Sequence, residues 1–145
     1  MLETKLRFKH MVGLDDKLKS MLSKQFAIRD ELKLIERRLT LLDEHIKQAG
    51  IYRKYRPFKQ KYNQQKQKQQ AQYHEIHRAE LTLYEAAERY IKTNLNGRDK
   101  IPLPIWRAEW EKLTAEKNRL NREYVSLKND TAAVEKIRSI SRTRF

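Results

Sequence analysis

The sequence predicts an all-α fold, a long antiparallel coiled-coil helical hairpin with a small helical tip. Two heptad-patterned segments of similar length flank a shorter basic middle. Only three Gly and three Pro fall among 145 residues, and the chain is 39% hydrophobic and 36% charged. That balance suits long helices with a narrow apolar seam and suits a thick, multilayer core poorly. The length is that of a single helical domain spanning residues 1–145.

Residues 1–13 show no strong period and read as an N-terminal segment ending at Gly13. Residues 14–49 form the first heptad helix. One line of its seam reads Leu14, Met21, Ile28, Ile35, Leu42, and the other reads Leu18, Gln25, Leu32, Leu39, Ile46. Nine of these ten positions are apolar, as a coiled-coil seam requires, and Gln25 is a polar exception suited to fixing register. Asp15 and Asp16 lie where the helix dipole favours anions. Gly50 is the expected stop.

Residues 51–103 make the basic helical tip. Tyr52, Tyr55, Phe58 and Tyr62 recur at three- and four-residue steps, as one helix face interrupted at Pro57. The stretch "NQQKQKQQAQ" is almost free of apolar side chains and reads as a solvated helix or a linker. "HEIHRAELTLYEAAERYIKTNL" then reads as a helix burying Ile76, Leu83, Ala87, Tyr90 and Ile91, with Gly97 as its stop.

"KIPLP" cannot be helix interior, whereas Pro104 suits a first turn. The second heptad helix therefore covers 104–139. Its first line is Trp106, Leu113, Leu120, Leu127, Val134, and its second, more mixed, is Trp110, Lys117, Tyr124, Thr131, Arg138. Residues 140–145 are a basic tail, expected to fray. At about 1.5 Å per residue, helices of about 35 residues each span roughly 52 Å. Equal lengths favour pairing with each other, with self-association of two copies through the seam as the alternative.

The net charge is +14, which attracts polyanions such as DNA, RNA or an anionic membrane surface. The absence of Cys excludes disulfides, thiolate metal sites and a Cys nucleophile. No apolar run has signal-peptide character or approaches the roughly 20 residues needed to span a bilayer. A cytoplasmic, soluble protein is expected.

Residues 51–70 carry seven Lys or Arg and no Asp or Glu. Arg53, Lys54, Arg56, Lys59, Lys61, Lys66 and Lys68 are the candidate nucleic-acid-binding residues, through neutralisation of phosphates. Tyr52, Tyr55 and Tyr62 could stack on unpaired bases, but their period favours packing against the helix that begins near His74. The charges would then face outward together and contact backbone phosphate without reading sequence. Lys136, Arg138, Arg142 and Arg144 in the tail are a weaker candidate.

Catalytic signatures are missing. His74 and His77 are spaced to share a helix face, but two imidazoles do not complete a metal site. Three scattered Gly cannot form a phosphate loop. Asp15/Asp16 and Glu80/Glu85 read as solvated pairs. The chain is expected to be no enzyme, with no catalytic residue, metal or cofactor.

In the order of its motifs the chain resembles the C-terminal helical accessory region of bacterial relaxases, the mobilisation nucleases of conjugative and mobilisable elements. A Leu/Ile heptad helix is followed by "IYRKYRPFKQKY", which looks like that family's Tyr-rich basic stretch. "HRAELTLYEAAERYI" is similar to its acidic-alanine helix, and "KIP" precedes a closing charged helix, "EWEKLTAEKNRLNREYVSLKND". The likeness covers roughly residues 25–140. It implies a role in plasmid mobilisation, with DNA, a relaxase nuclease domain or a transfer-machinery protein as partners. The nicking Tyr and the His-held metal belong to the family's nuclease domain, and no stretch here matches that domain. Pro57 and segment 63–72 depart from the family pattern, which leaves the geometry of the tip open.

Overall fold

A computed structural model describes residues 2–95 and 100–144. The fold is all-α: α1 (Leu2–Gln64), α2 (Gln67–Ile76), α3 (Arg78–Asn94) and α4 (Leu103–Arg144). No strand occurs among the described residues. The chain divides into two compact units. Unit 1 comprises residues 1–37 and 113–145, and unit 2 comprises residues 38–112.

In unit 1 the first part of α1 pairs with the greater part of α4. Three cross-links give the direction. Arg138 Nη1 lies 3.3 Å from Asp15 Oδ1, Gln25 Nε2 donates to Thr131 Oγ1 at 2.7 Å, and Lys117 Nζ lies 3.8 Å from Glu36 Oε1. Residue numbers rise along α1 as they fall along α4, so the pairing is antiparallel. Leu18, Ile28, Leu32 and Ile35 are buried from α1, and Leu120, Thr131 and Val134 from α4. These seam residues of unit 1 are thus buried within one chain. Gln25 is satisfied across the seam, and Thr131 Oγ1 in turn donates to the Leu127 carbonyl at 2.8 Å. Their polar pairing needs this one alignment, which is how a single polar seam position fixes register.

Unit 2 buries Leu39, Leu42, His45 and Ala49 of α1, Leu81, Tyr84, Ala87 and Ile91 of α3, and Leu103 and Trp106 of α4. Bidentate bonds from Arg38 to Glu109, at 2.6 and 2.9 Å, tie α1 to α4 at its edge.

Several local expectations give way here. Helix α1 passes through Gly13 and Gly50 and continues through Pro57 to Gln64. A helical Gly costs only about 1 kcal/mol relative to Ala. Ala49 is fully buried, and Tyr52 stacks on Tyr84 with ring centroids 5.2 Å apart, so packing on both sides of Gly50 outweighs that cost. The Gln-rich stretch is no single element. Helix α1 ends at Gln64, where Gln65 Nε2 and Gln70 Nε2 donate to the Lys61 and Tyr62 carbonyls at 3.1 and 3.4 Å, and α2 begins at Gln67. The expected helix from His74 onward breaks at His77. Of the expected face, Ala87 and Ile91 are buried and Tyr90 is half-buried, whereas Ile76 and Leu83 are exposed and Leu81 and Tyr84 are buried instead. The α3 helix ends at Asn94, and Gly97 lies outside the described residues. At the C-terminus α4 runs to Arg144.

His45 is the one titratable His in the buried set of unit 2 among the described residues. Its Nδ1 lies 2.8 Å from the Tyr90 hydroxyl, and its ring packs 4.8 Å from that of Trp106. Burial, and then the Arg38 guanidinium, push its pKa below the ordinary 6.5, against the opposing pull of Glu109 and Glu44. The unfolded chain therefore takes up the proton first as pH falls. The stability from neutral His45 is complete above about pH 6.5 and is lost progressively below it. Glu109, held below the ordinary carboxylate range mainly by its bond from Arg38, loses its contribution only at lower pH, as pH falls below its ordinary pKa of 4.5. Both Trp residues, Trp106 and Trp110, belong to unit 2, so their fluorescence reports its melting. Its Tm should drop between about pH 7.5 and pH 5.5, and His45→Gln should flatten that drop. An equal drop in both proteins would assign it to other groups.

Candidate nucleic-acid interface

The basic stretch is built mainly on the last turns of α1. Its aromatic face turns inward, as the three- and four-residue spacing demands. Tyr52 stacks on Tyr84 at an interplanar angle of 24°. Phe58 packs 5.2 Å from the His77 ring, and Tyr62 meets Tyr73 and His74 at 6.4 and 6.2 Å. Tyr55 packs 6.0 Å from Phe58. Tyr52 packs α1 against α3, Tyr62 against α2 and Phe58 against the break at His77, while Tyr55 packs along its own helix; all four are half-buried. They are engaged with protein neighbours and do not form an open stacking platform.

The candidate cations differ in their surroundings. Arg53, Lys54, Arg56, Lys61, Lys66 and Lys68 are exposed. Lys54 Nζ lies 5.2 Å from the Tyr55 ring centroid and the Arg56 guanidinium 6.0 Å from that of Tyr52, positions that favour cation–π attraction. Lys59 is half-buried, 4.9 Å over the Tyr62 ring and 3.5 Å from Glu85 Oε1. Its charge is already partnered. Lys66 stands at the start of α2, and Lys68 lies in its first turn.

Arg53 and Arg56, one helical turn apart, share a groove with residues the sequence did not single out. Between α1, α3 and the segment before α4 lies a cleft of about 440 Å³, lined by Tyr52, Arg53, Arg56, Glu88, Ile91, Lys92, Leu95, Lys100 and Ile101. Among the described residues, four cations face one carboxylate there. Hydrogen bonds from Tyr84 and then Lys92 hold Glu88 below the ordinary carboxylate range, and the Lys92 ammonium is 2.9 Å from Glu88 Oε1. Lys54, Lys59, Lys61, Lys66 and Lys68 do not line this groove. Lys92 and Lys100 follow Arg56 by many residues, and only folding brings them to it.

The remaining sequence candidates have structural surroundings. His77 packs 4.4 Å from Tyr73 at the α2–α3 break, so His74 and His77 do not share one continuous helix. No group of three or more His, Asp or Glu among the described residues is placed to hold a metal ion. Arg138 is engaged by Asp15, and the side chains of Arg142 and Arg144 lie outside what the structure describes. No helix among the described residues is long and apolar enough to cross a membrane. The chain matches no protein-family model, no curated protein and no solved structure.

Proposed function

We propose that this chain is a non-catalytic helical module that contacts the phosphate backbone of DNA without reading its sequence. The observation that carries the reading is the set of exposed cations on α1 and α2: Arg53, Lys54, Arg56, Lys61, Lys66 and Lys68. No Asp or Glu occurs among residues 51–70 to neutralise them. With the neighbouring rings turned inward, the outer face offers charge and little else, which suits phosphate and not base edges. The likeness of residues 25–140 to the helical region of relaxases supports DNA mobilisation and conjugative transfer as the setting. In that setting the module acts from the cytoplasm beside a relaxase nuclease domain or a transfer-machinery protein.

The test is fluorescence anisotropy with labelled DNA as salt rises from about 50 to 200 mM. A grip on about six phosphates weakens roughly a thousandfold over that range. Replacing Lys61, Lys66 and Lys68 together by Gln should lower the log–log salt slope by about 1 for each phosphate no longer neutralised. Absence of binding at the lowest salt would end the DNA reading.

A second reading is a coiled-coil scaffold for protein partners. It is favoured by Phe26 and Leu34 of α1 and Ile137 and Ile140 of α4, large apolar residues of unit 1 that remain exposed.

A further inference from the structure

We infer that the groove of unit 2 is a subsite for one unpaired nucleotide of a nucleic-acid strand, an inference that rests on the phosphate-contact reading. Its two kinds of lining match the two halves of that ligand. Among the described residues, Arg53, Arg56, Lys92 and Lys100 bring four positive charges, against the one carboxylate of Glu88, to a single opening. Glu88 is occupied by Lys92 and Tyr84 and leaves the two arginines and Lys100 to an incoming anion. Arginine offers a planar fork suited to a phosphodiester, and lysine a mobile point charge.

Between these cations the lining is apolar. Ile91 is only 3% exposed, while Leu95, Ile101 and Tyr52 are half-buried. A surface meant only to repel other copies or stay hydrated has no need of an apolar floor between cations. The face of a base is apolar enough to cover such a floor, and a strand held by its phosphates can lay it there. A volume of about 440 Å³ falls in the range of small-ligand clefts. It admits one nucleotide. It does not admit a duplex, whose base faces are stacked and paired. The groove therefore converts a general attraction for phosphate into a preference for unpaired strands.

Two labelled DNAs with equal numbers of phosphates, one single-stranded and one duplex, are compared at one salt concentration. The proteins are wild type, a Lys92→Gln/Lys100→Gln variant and a Lys61→Gln/Lys68→Gln variant. All four substituted lysines are exposed, so the variants should fold. The wild type should bind the single strand about tenfold more tightly than the duplex. The groove variant should lose that preference, and the Lys61/Lys68 variant should weaken on both DNAs alike and keep it. Equal affinity for strand and duplex in the wild type, or a preference that survives in the groove variant, overturns the subsite while leaving phosphate contact intact. If neither DNA binds the wild type, the underlying reading fails and the subsite with it.

Discussion

Leu42→Ala should destabilise unit 2 by about 2–5 kcal/mol, the largest single effect expected in the chain. Leu42 is wholly without solvent exposure, and it and Leu81 are the largest fully buried side chains among the described residues. Truncation removes apolar atoms from a close-packed interior and leaves a cavity that the surrounding side chains fill only in part. Its neighbour supplies the control. Leu41 is 43% exposed, on the other side of the same helical turn, and Leu41→Ala should stay within about 0.5 kcal/mol. Urea unfolding followed by tryptophan emission measures both, since both Trp lie in unit 2. Similar midpoints for the two variants would mean that the two adjacent leucines are not distinguished by burial.

Pro57→Ala should act in the opposite direction and stabilise unit 2 by about 1–3 kcal/mol. Pro57 lies inside α1, seven residues before its last residue, and is exposed. It lacks the N–H that would bond the Arg53 carbonyl, and its ring crowds that carbonyl. An exposed ring returns little packing to offset this. The helix continues because Tyr52 before the defect and Phe58 and Tyr62 after it pack on rings outside α1, those of Tyr84, His77, Tyr73 and His74. A lower urea midpoint for Pro57→Ala would show that the ring itself packs in a way that matters more than the missing bond.

The residues also show where sequence patterning carries and where it stops. All ten seam positions read from Leu14 to Ile46 are buried or half-buried. So is the first line of α4, Trp106, Leu113, Leu120, Leu127 and Val134; of the second line only Trp110 is exposed. The inward turn of the tyrosines was legible for the same reason. Helix periodicity is a local geometric property, and a run of apolar residues at that period has one way to leave water.

Helix ends were less legible. Gly13, Gly50 and Pro57 each carry a local preference of only about 1–3 kcal/mol, and the packing of an adjacent helix exceeds it. The buried face of the third helix was legible at Ala87, Tyr90 and Ile91 and missed at Ile76, which lies before the break at His77, and at Leu83, beside which Leu81 and Tyr84 are buried instead; nothing near "HEIH" announces that break.

The candidate site divides in the same way. The cation run on α1 and α2 is contiguous and visible in the chain. The partnering of Lys59 by Glu85 is not, and neither is the meeting of Arg53 and Arg56 with Lys92 and Lys100. The sequence by itself determined an all-α chain, its two apolar seams and a strongly basic surface, because period and charge are properties of neighbouring residues. Only the tertiary structure decided which helices run through their glycines, which lysine is neutralised and which cations share a groove. Those outcomes depend on side chains distant in sequence competing for the same space.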